Sequence, residues 1–246
     1  MFGYQLYSSR NFPPLSDTIA MLAKAGYTSV EGYGGLYEDA AGLAAMLKAN
    51  HLKMPTGHFS LQMLEHEVAH ALTVATTLGM ERIYCPHIMP DQRPSDAAGW
   101  RDFGARLDKI GKPYRDAGFG FGWHNHDFEF VVLPDGTIPQ DAMFDGGPGL
   151  EWEMDVAWVI RGGADPLKWI KKYGPRITSA HVKDIAPAGE NKDEDGWSDV
   201  GHGTVDWKGL MAALRAAGCG NFVMEHDNPA DHHRFATRSL ASAKTY

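Results

Sequence analysis

Residues 96–126 read DAAGWRDFGARLDKIGKPYRDAGFGFGWHNH, and two periodicities meet inside them. Over 96–117 the apolar residues Trp100, Phe103, Leu107, Ile110 and Tyr114 recur every three or four positions, which makes an amphipathic helix. Gly118 ends it, and 120–126 continues as a short apolar run that closes on polar residues, a strand. Worked outward in both directions, the same unit repeats. Strands are expected over 3–7, 28–33, 52–59, 82–85, 120–126, 150–155, 177–182 and 221–225. Helices are expected over 15–24, 39–50, 63–78, 96–117, 165–172, 207–217 and 232–243. The stretch 134–148 is rich in Gly, Pro and Asp, and only 140–144 offers a shortened fifth helix. A polar loop fills 186–203. Repeated strand–helix units imply parallel strands with right-handed crossovers. Eight of them in about 250 residues fit a single-domain α/β (β/α)8 TIM barrel spanning 1–246. An open doubly wound sheet would show a glycine-rich phosphate turn after its first strand. That position holds Ser8-Ser9-Arg10-Asn11.

Composition narrows the function. The 246 residues carry 23 Lys plus Arg against 31 Asp plus Glu, a formal charge of −8, which argues against a nucleic-acid or anionic-membrane partner. Two cysteines, Cys85 and Cys219, exclude a disulfide framework, read as small core residues, and point to a reduced, cytoplasmic setting. No apolar run is long enough for a membrane span, and the first residues do not form a signal peptide. Histidine is abundant, 12 residues against 11 Phe, and it is the commonest metal ligand.

In a barrel of this kind the chemistry lies where strands end. Those positions hold Glu31, His58, His87, the run His124-Asn125-His126-Asp127 with Glu129 beyond, Glu153 and Asp155, His181 and Lys183, and Glu225-His226-Asp227. Buried carboxylates and imidazoles are costly unless paired, and one cation satisfies several at once. Imidazole with carboxylate suits Zn²⁺, Mn²⁺ or Co²⁺, and no cysteine joins the set. A hydrogen-bonded polar cluster at the barrel mouth is the plainer alternative.

The chain resembles the sugar phosphate isomerase/epimerase superfamily with the xylose-isomerase-like TIM barrel, near its inosose dehydratases and 3-keto-glycoside lyases. The residues that carry the resemblance are Tyr4-Gln5-Leu6-Tyr7, Val30-Glu31-Gly32-Tyr33, Trp123-His124-Asn125-His126-Asp127-Phe128-Glu129-Phe130 and Glu151-Trp152-Glu153-Met154-Asp155. Further on come His181-Val182-Lys183-Asp184, Val200-Gly201-His202-Gly203-Thr204-Val205-Asp206-Trp207 and Met224-Glu225-His226-Asp227. The resemblance implies one divalent metal ion (Mn, Zn, Co or Mg) held by Asp155, His181, Glu225 and a strand-five residue. Related epimerases carry a Glu on strand five; His124 stands there, and His126 on the same strand face competes for the role. Losing that Glu removes one of the two bases of an epimerase. An imidazole beside Glu225 fits removal of a proton α to a carbonyl, followed by isomerisation, epimerisation or loss of a β-leaving group.

The catalytic candidates are therefore Glu225, His124, His126 and Lys183. Expected substrate contacts are Glu31, His58, His87, Glu129, Glu153 and His202, the last in a flexible Gly201-His202-Gly203 loop. Each has a plainer reading: a loop histidine, a carboxylate paired within the barrel, an ion pair of Lys183 with Asp184, or, for Glu153, a buried partner of Lys183 or of a ligating histidine. Asp193-Glu194-Asp195 reads as a solvated charge run, and His232-His233 as surface. Trp123, Trp152 and Trp158 read as packing, with one of them left to stack on a sugar. No arginine cluster stands at the strand ends, so an unphosphorylated sugar is the expected partner, with a homo-oligomer or partner subunit also open. The competing functions are a metal-dependent phosphodiesterase of the abasic-site endonuclease type and a non-catalytic subunit of a two-component sugar-processing enzyme.

Overall fold

The computed structural model describes residues 1–246 and closes eight parallel strands into a barrel. The strands are β1 (Phe2–Gln5), β2 (Ser29–Gly32), β3 (Lys53–His58), β4 (Arg82–Cys85), β5 (Gly120–His124), β6 (Glu151–Asp155), β7 (Ile177–Val182) and β8 (Asn221–Met224). Each pairs with its sequence neighbours, and β1 closes on β8 with Gly3 opposite Val223. Between β6 and β7 the register shifts: Trp152 faces Ile177, but Glu153 faces Ser179. One extra residue in β7 brings His181 opposite Asp155.

The outer layer is α1 (Leu15–Ala25), α2 (Ala40–Ala49), α3 (Leu61–His66), α4 (Val68–Leu78), α5 (Ala97–Asp116), α6 (Pro139–Gly146), α7 (Val156–Arg161), α8 (Pro166–Tyr173), α9 (Trp207–Ala216) and α10 (His232–Ala243). Acidic side chains start six of the ten: Asp39, Asp96, Asp155, Asp165, Asp206 and Asp231 each accept a backbone N–H of the first turn. No helix is long and apolar enough to cross a membrane.

Three expectations need correction. The helix expected over 63–78 is two, α3 and α4, because Glu67 leaves helical geometry (φ −126°, ψ 39°). Helix α7 was not foreseen; it begins directly after β6, and Asp155 caps it by accepting the Trp158 N–H at 2.9 Å. The polar loop 186–203 contains Trp197–Ser198, which pairs antiparallel with Asp184–Ile185.

The shortened fifth helix, α6, packs on α5 almost backbone to backbone. A Cβ on Gly104 would lie 1.9 Å from the Met143 carbonyl oxygen, and one on Gly146 equally close to that of Arg101. Gly104→Ala is therefore expected to push α6 off α5 and cost about 1–3 kcal/mol, read as a lower midpoint in urea unfolding.

The apolar core lies between the barrel and the helices. Trp123 and Trp152 are fully buried there; Trp152 packs against Phe144 and Trp169. Cys85 and Cys219 are buried too, and burial pushes both thiols up to about 12. Neither is expected to react with a thiol reagent at pH 8 until denaturant opens the fold, since the thiolate is the reactive form. Inside the barrel the side chains are polar. Contacts between strands that are not neighbours, Tyr84 on β4 to Thr178 on β7 and Glu31 on β2 to His181 on β7, place them there.

Candidate metal and active site

The site has a deep layer and an upper layer joined by His181. In the deep layer His58 lies 2.5 Å from Glu153 Oε2, and His181 Nε2 lies 2.7 Å from Glu31 Oε1 and 3.2 Å from Glu153 Oε2. Gln5 donates to Glu31 at 2.8 Å. In the upper layer His181 Nδ1 stands 2.8 Å from Glu225 Oε2 and 3.9 Å from Asp155 Oδ2. Both ring nitrogens thus face carboxylates, Nε2–H donating to Glu31 and Nδ1–H to Glu225; a cation would take the place of the Nδ1 proton. Carboxylates commonly orient ligating imidazoles in this way.

His124, Asp155, His181 and Glu225 are buried, and each offers one ligand atom within 4.8 Å of the others. A second group, His58, His124, Glu153 and His181, meets the same condition but shares two members with the first. Glu153 Oε1 and Glu31 Oε2 have no hydrogen-bond partner, while His124 Nδ1 touches Glu153 Oε2 at 3.3 Å and Asp155 Oδ2 touches Lys183 Nζ. Orphaned buried donors and acceptors of this kind are rare and costly. Asp155 is instructive. Its Oδ1 caps α7, and its Oδ2, 3.2 Å from Lys183 Nζ, turns toward the cluster. The donor set of nitrogen and carboxylate oxygen, with those orphaned atoms, fits a divalent cation.

Electrostatics follow from burial and crowding. Burial, aided by His181, pushes His124 down to about 3, so it is neutral and able to ligate. Burial, His124 and Lys183 hold His126 well below its usual range. Burial works to lower His181, but Glu153, Glu225 and Glu31 outweigh it and raise it well above. Burial pushes Asp155 up to about 6 despite Lys183 and His181. Burial also opposes ionisation of Glu225, yet Lys183 and His181 hold it well below the carboxylate range, so Glu225 ionises first. Glu31 is raised by burial and by Glu153, whereas Glu153 is held down by His181 and His58 against its own burial.

A cavity of about 1030 Å³ opens above this floor and is lined by His58, His87, His124, His126, Trp158 and Glu225, among others. His126 Nδ1 has no partner. His87 faces His126 edge-on and accepts from Arg93 at 3.1 Å.

Other expected contacts lie elsewhere. Glu31 and Glu153 sit beneath the cavity and hold histidines; Glu153 does not pair with Lys183. Lys183 is bound instead by Asp155, Glu225 and Asp227. Glu129 is fully buried, away from the cavity, and accepts Trp123 Nε1–H and the His126 N–H, both at 2.9 Å. His202 lines a different recess, and its loop is pinned rather than flexible: Gly201, Gly203 and Val205 N–H groups all donate to the Asp184 carboxylate. Within the presumed charge run Glu194 is buried and accepts from Arg234 and Ala230. His232 stacks on Phe12 at 4.1 Å.

Two kinds of residue have roles that strand-end position does not reveal. Asn125 is fully buried and ties β5 to β6: its Oδ1 accepts Trp152 Nε1–H and the Asp155 N–H, and its Nδ2 donates to the Asp155 carbonyl. Its place between two histidines was the available signal. Arg10 and Arg161 line the cavity from a 3-10 turn after β1 and from the end of α7, beyond the strand ends searched.

A closed parallel barrel carrying a buried histidine–carboxylate cluster at the C-terminal ends of its strands is an enzyme-like architecture. Residues 19–243 match the profile of the xylose isomerase-like TIM barrel, and the chain belongs to that family. A search of curated proteins found no significant match. Among solved structures, a sugar phosphate isomerase/epimerase from Parabacteroides distasonis superposes with a TM-score of 0.83 at 19% identity, covering 98% of this chain and 93% of that one. A 3-keto-D-glucoside 4-epimerase from E. coli superposes at 0.72 with 17% identity, covering 100% and 99%. An IolI protein with a bound zinc atom superposes at 0.70 with 17% identity, covering 99% and 95%. At these identities the likeness is one of fold.

Proposed function

We propose that the protein is a divalent-metal-dependent enzyme that removes a proton α to the carbonyl of a keto-sugar or keto-polyol, leading to isomerisation, epimerisation or β-elimination. The observation that carries this reading is the convergence of His124, Asp155, His181 and Glu225, all buried and each offering one ligand atom within 4.8 Å of the others. These four residues would hold the ion. When bound, it would polarise a substrate carbonyl and favour the negative charge that develops as a neighbouring C–H is deprotonated.

The chain's own residues supply the rest. His126, on the cavity wall and held neutral, is the group to take the substrate proton. Lys183, fixed by three carboxylates, orients Asp155 and Glu225. Glu31 and Glu153 orient His181 and His58. The phosphodiesterase reading needs several ions, and the two histidine–carboxylate groups share His124 and His181, which disfavours filling both.

The test is proton NMR in D₂O with ketohexoses, inososes and 3-keto-glucosides, after chelation and again with Mn²⁺, Zn²⁺, Co²⁺ or Mg²⁺ restored. Metal-dependent loss of an α C–H signal is expected, and the product separates isomerase from lyase. No exchange with any metal or substrate would overturn the proposal in favour of a hydrolytic or partner-subunit role.

A further inference from the structure

The cavity wall carries a histidine whose proton is placed by its neighbour. His87 follows β4, is half-buried and lines the cavity. Its one side-chain hydrogen bond is with Arg93, whose Nη2 stands 3.1 Å from His87 Nε2. A guanidinium has N–H groups and no acceptor, so Arg93 donates and Nε2 accepts. Nε2 therefore carries no proton. A neutral imidazole has one ring proton, which leaves it on Nδ1. Arg93 is itself held in place: its guanidinium carbon lies 3.6 Å over the Phe128 ring, and its Nε donates to the Ile88 carbonyl at 3.4 Å. Burial, aided by the Arg93 charge, keeps His87 below the usual imidazole range, so the ring is neutral at pH 7.

The neighbouring imidazole has the opposite task. His126, proposed above as the base, meets His87 edge-on with 5.3 Å between ring centroids, and lies nearly parallel to Phe128 at 6.1 Å. His87 cannot share that task, because its only ring lone pair, on Nε2, is taken up by Arg93. Nor is it a source of protons, since loss of the Nδ1 proton would leave an imidazolate. What it offers is a hydrogen bond of fixed polarity. A neutral imidazole N–H polarises an oxygen without giving up its proton. A loop histidine with both nitrogens in water would exchange freely between its tautomers and offer no such preference.

We infer that His87 Nδ1–H is a hydrogen-bond donor to a substrate oxygen beside the carbon that His126 deprotonates, and that Arg93 is the positioning residue that fixes this tautomer. This rests on the proton-abstraction reading proposed above and adds to it a second imidazole with a role distinct from the base. No bond is made or broken at His87, which keeps its proton throughout.

Long-range ¹⁵N–¹H NMR of the histidine-labelled, zinc-loaded protein at pH 7 reads the tautomer directly, with His87→Asn identifying the signals. A protonated Nδ1 and a bare Nε2 are expected, and Arg93→Met should leave the proton shared between the two nitrogens. A bare Nδ1 in the wild-type protein would overturn the inference. Deuterium exchange with the keto-sugars named above supplies the second readout. His87→Phe should lower kcat for α C–H exchange by about 10–100-fold with KM within about threefold, the loss of a hydrogen bond to a charge that develops in the transition state. His87→Asn, whose amide N–H₂ falls near the place of Nδ1, should recover most of that loss, which it would not do if the ring served packing alone. Wild-type rates in the phenylalanine variant, or an asparagine variant no better than it, would overturn the donor role and leave the proton-abstraction reading standing. No exchange by the wild-type protein with any keto-sugar or metal would overturn both, whatever the tautomer.

Discussion

Glu225→Gln is expected to lower turnover by about 10³-fold or more while the barrel stays folded. Glu225 is where three demands meet. Its Oε2 stands 2.8 Å from His181 Nδ1 and 2.9 Å from Lys183 Nζ, and the residue also lines the cavity. Gln keeps the shape and removes the charge, so a cation would lose an anionic ligand and Lys183 one of three carboxylates. Asp155 and Asp227 still hold Lys183, which limits the cost to the fold. Circular dichroism and a thermal melt should therefore stay close to wild type while metal content and substrate turnover fall together. Near-normal turnover in this variant would remove the proposed site from consideration.

Asn125→Ala should act on stability and on the cluster at once. The Asn125 carboxamide is the bolt between the end of β5, which carries His124 and is followed by His126, and the end of β6, which carries Asp155. Truncation strands the buried Trp152 Nε1–H, 2.9 Å from Asn125 Oδ1, and the Asp155 N–H, 3.0 Å from it. At roughly 1–3 kcal/mol for each of the two buried donors left without a partner, the loss should be about 2–6 kcal/mol in denaturant unfolding. Metal affinity, measured by calorimetric titration well below the melting temperature, should weaken by about 10–100-fold, as for groups that orient ligands. Asn125→Asp keeps an oxygen to accept both N–H groups and loses the donor to the Asp155 carbonyl, so it should fold better than the alanine variant. Unaltered metal affinity in both variants would mean that Asn125 serves the fold alone.

The cluster also explains why so many charges tolerate burial. Glu31, Glu153, Asp155 and Glu225 are buried with Lys183 as the sole buried lysine among them, and His124 and His126 are held neutral. Such a set is costly unless paired, and Lys183 and His181 supply the partners that the structure shows. Its polar cross-barrel contacts take the place of the aliphatic layers that fill other barrels of this kind.

How much of this was legible beforehand depends on how local the signal is. Strand–helix alternation is local, and the boundaries of β4 and β7 and of α10 stand where the periodicity predicts them. The ligand candidates were legible too, because strand ends in a parallel barrel converge whatever the loops do. Helix α7 is six residues long, too short to show a periodicity, and its cap, Asp155, divides its two oxygens between the helix and Lys183.

The amino-acid sequence by itself determined the eight-unit barrel, the short fifth helix and the residue types gathered at its mouth, since periodicity and strand-end position are properties of neighbours along the chain. Only the tertiary structure decided which polar groups meet. It turned Glu153 toward histidines rather than Lys183, closed Glu129 away under Trp123 and sent His202 to another recess. It also brought Arg10 and Arg161 to one cavity from residues 151 positions apart in the numbering. The physical reason is that pairing in a buried layer is settled by a few tenths of an ångström across a closed barrel, between strands whose separation in sequence says nothing about their distance in space.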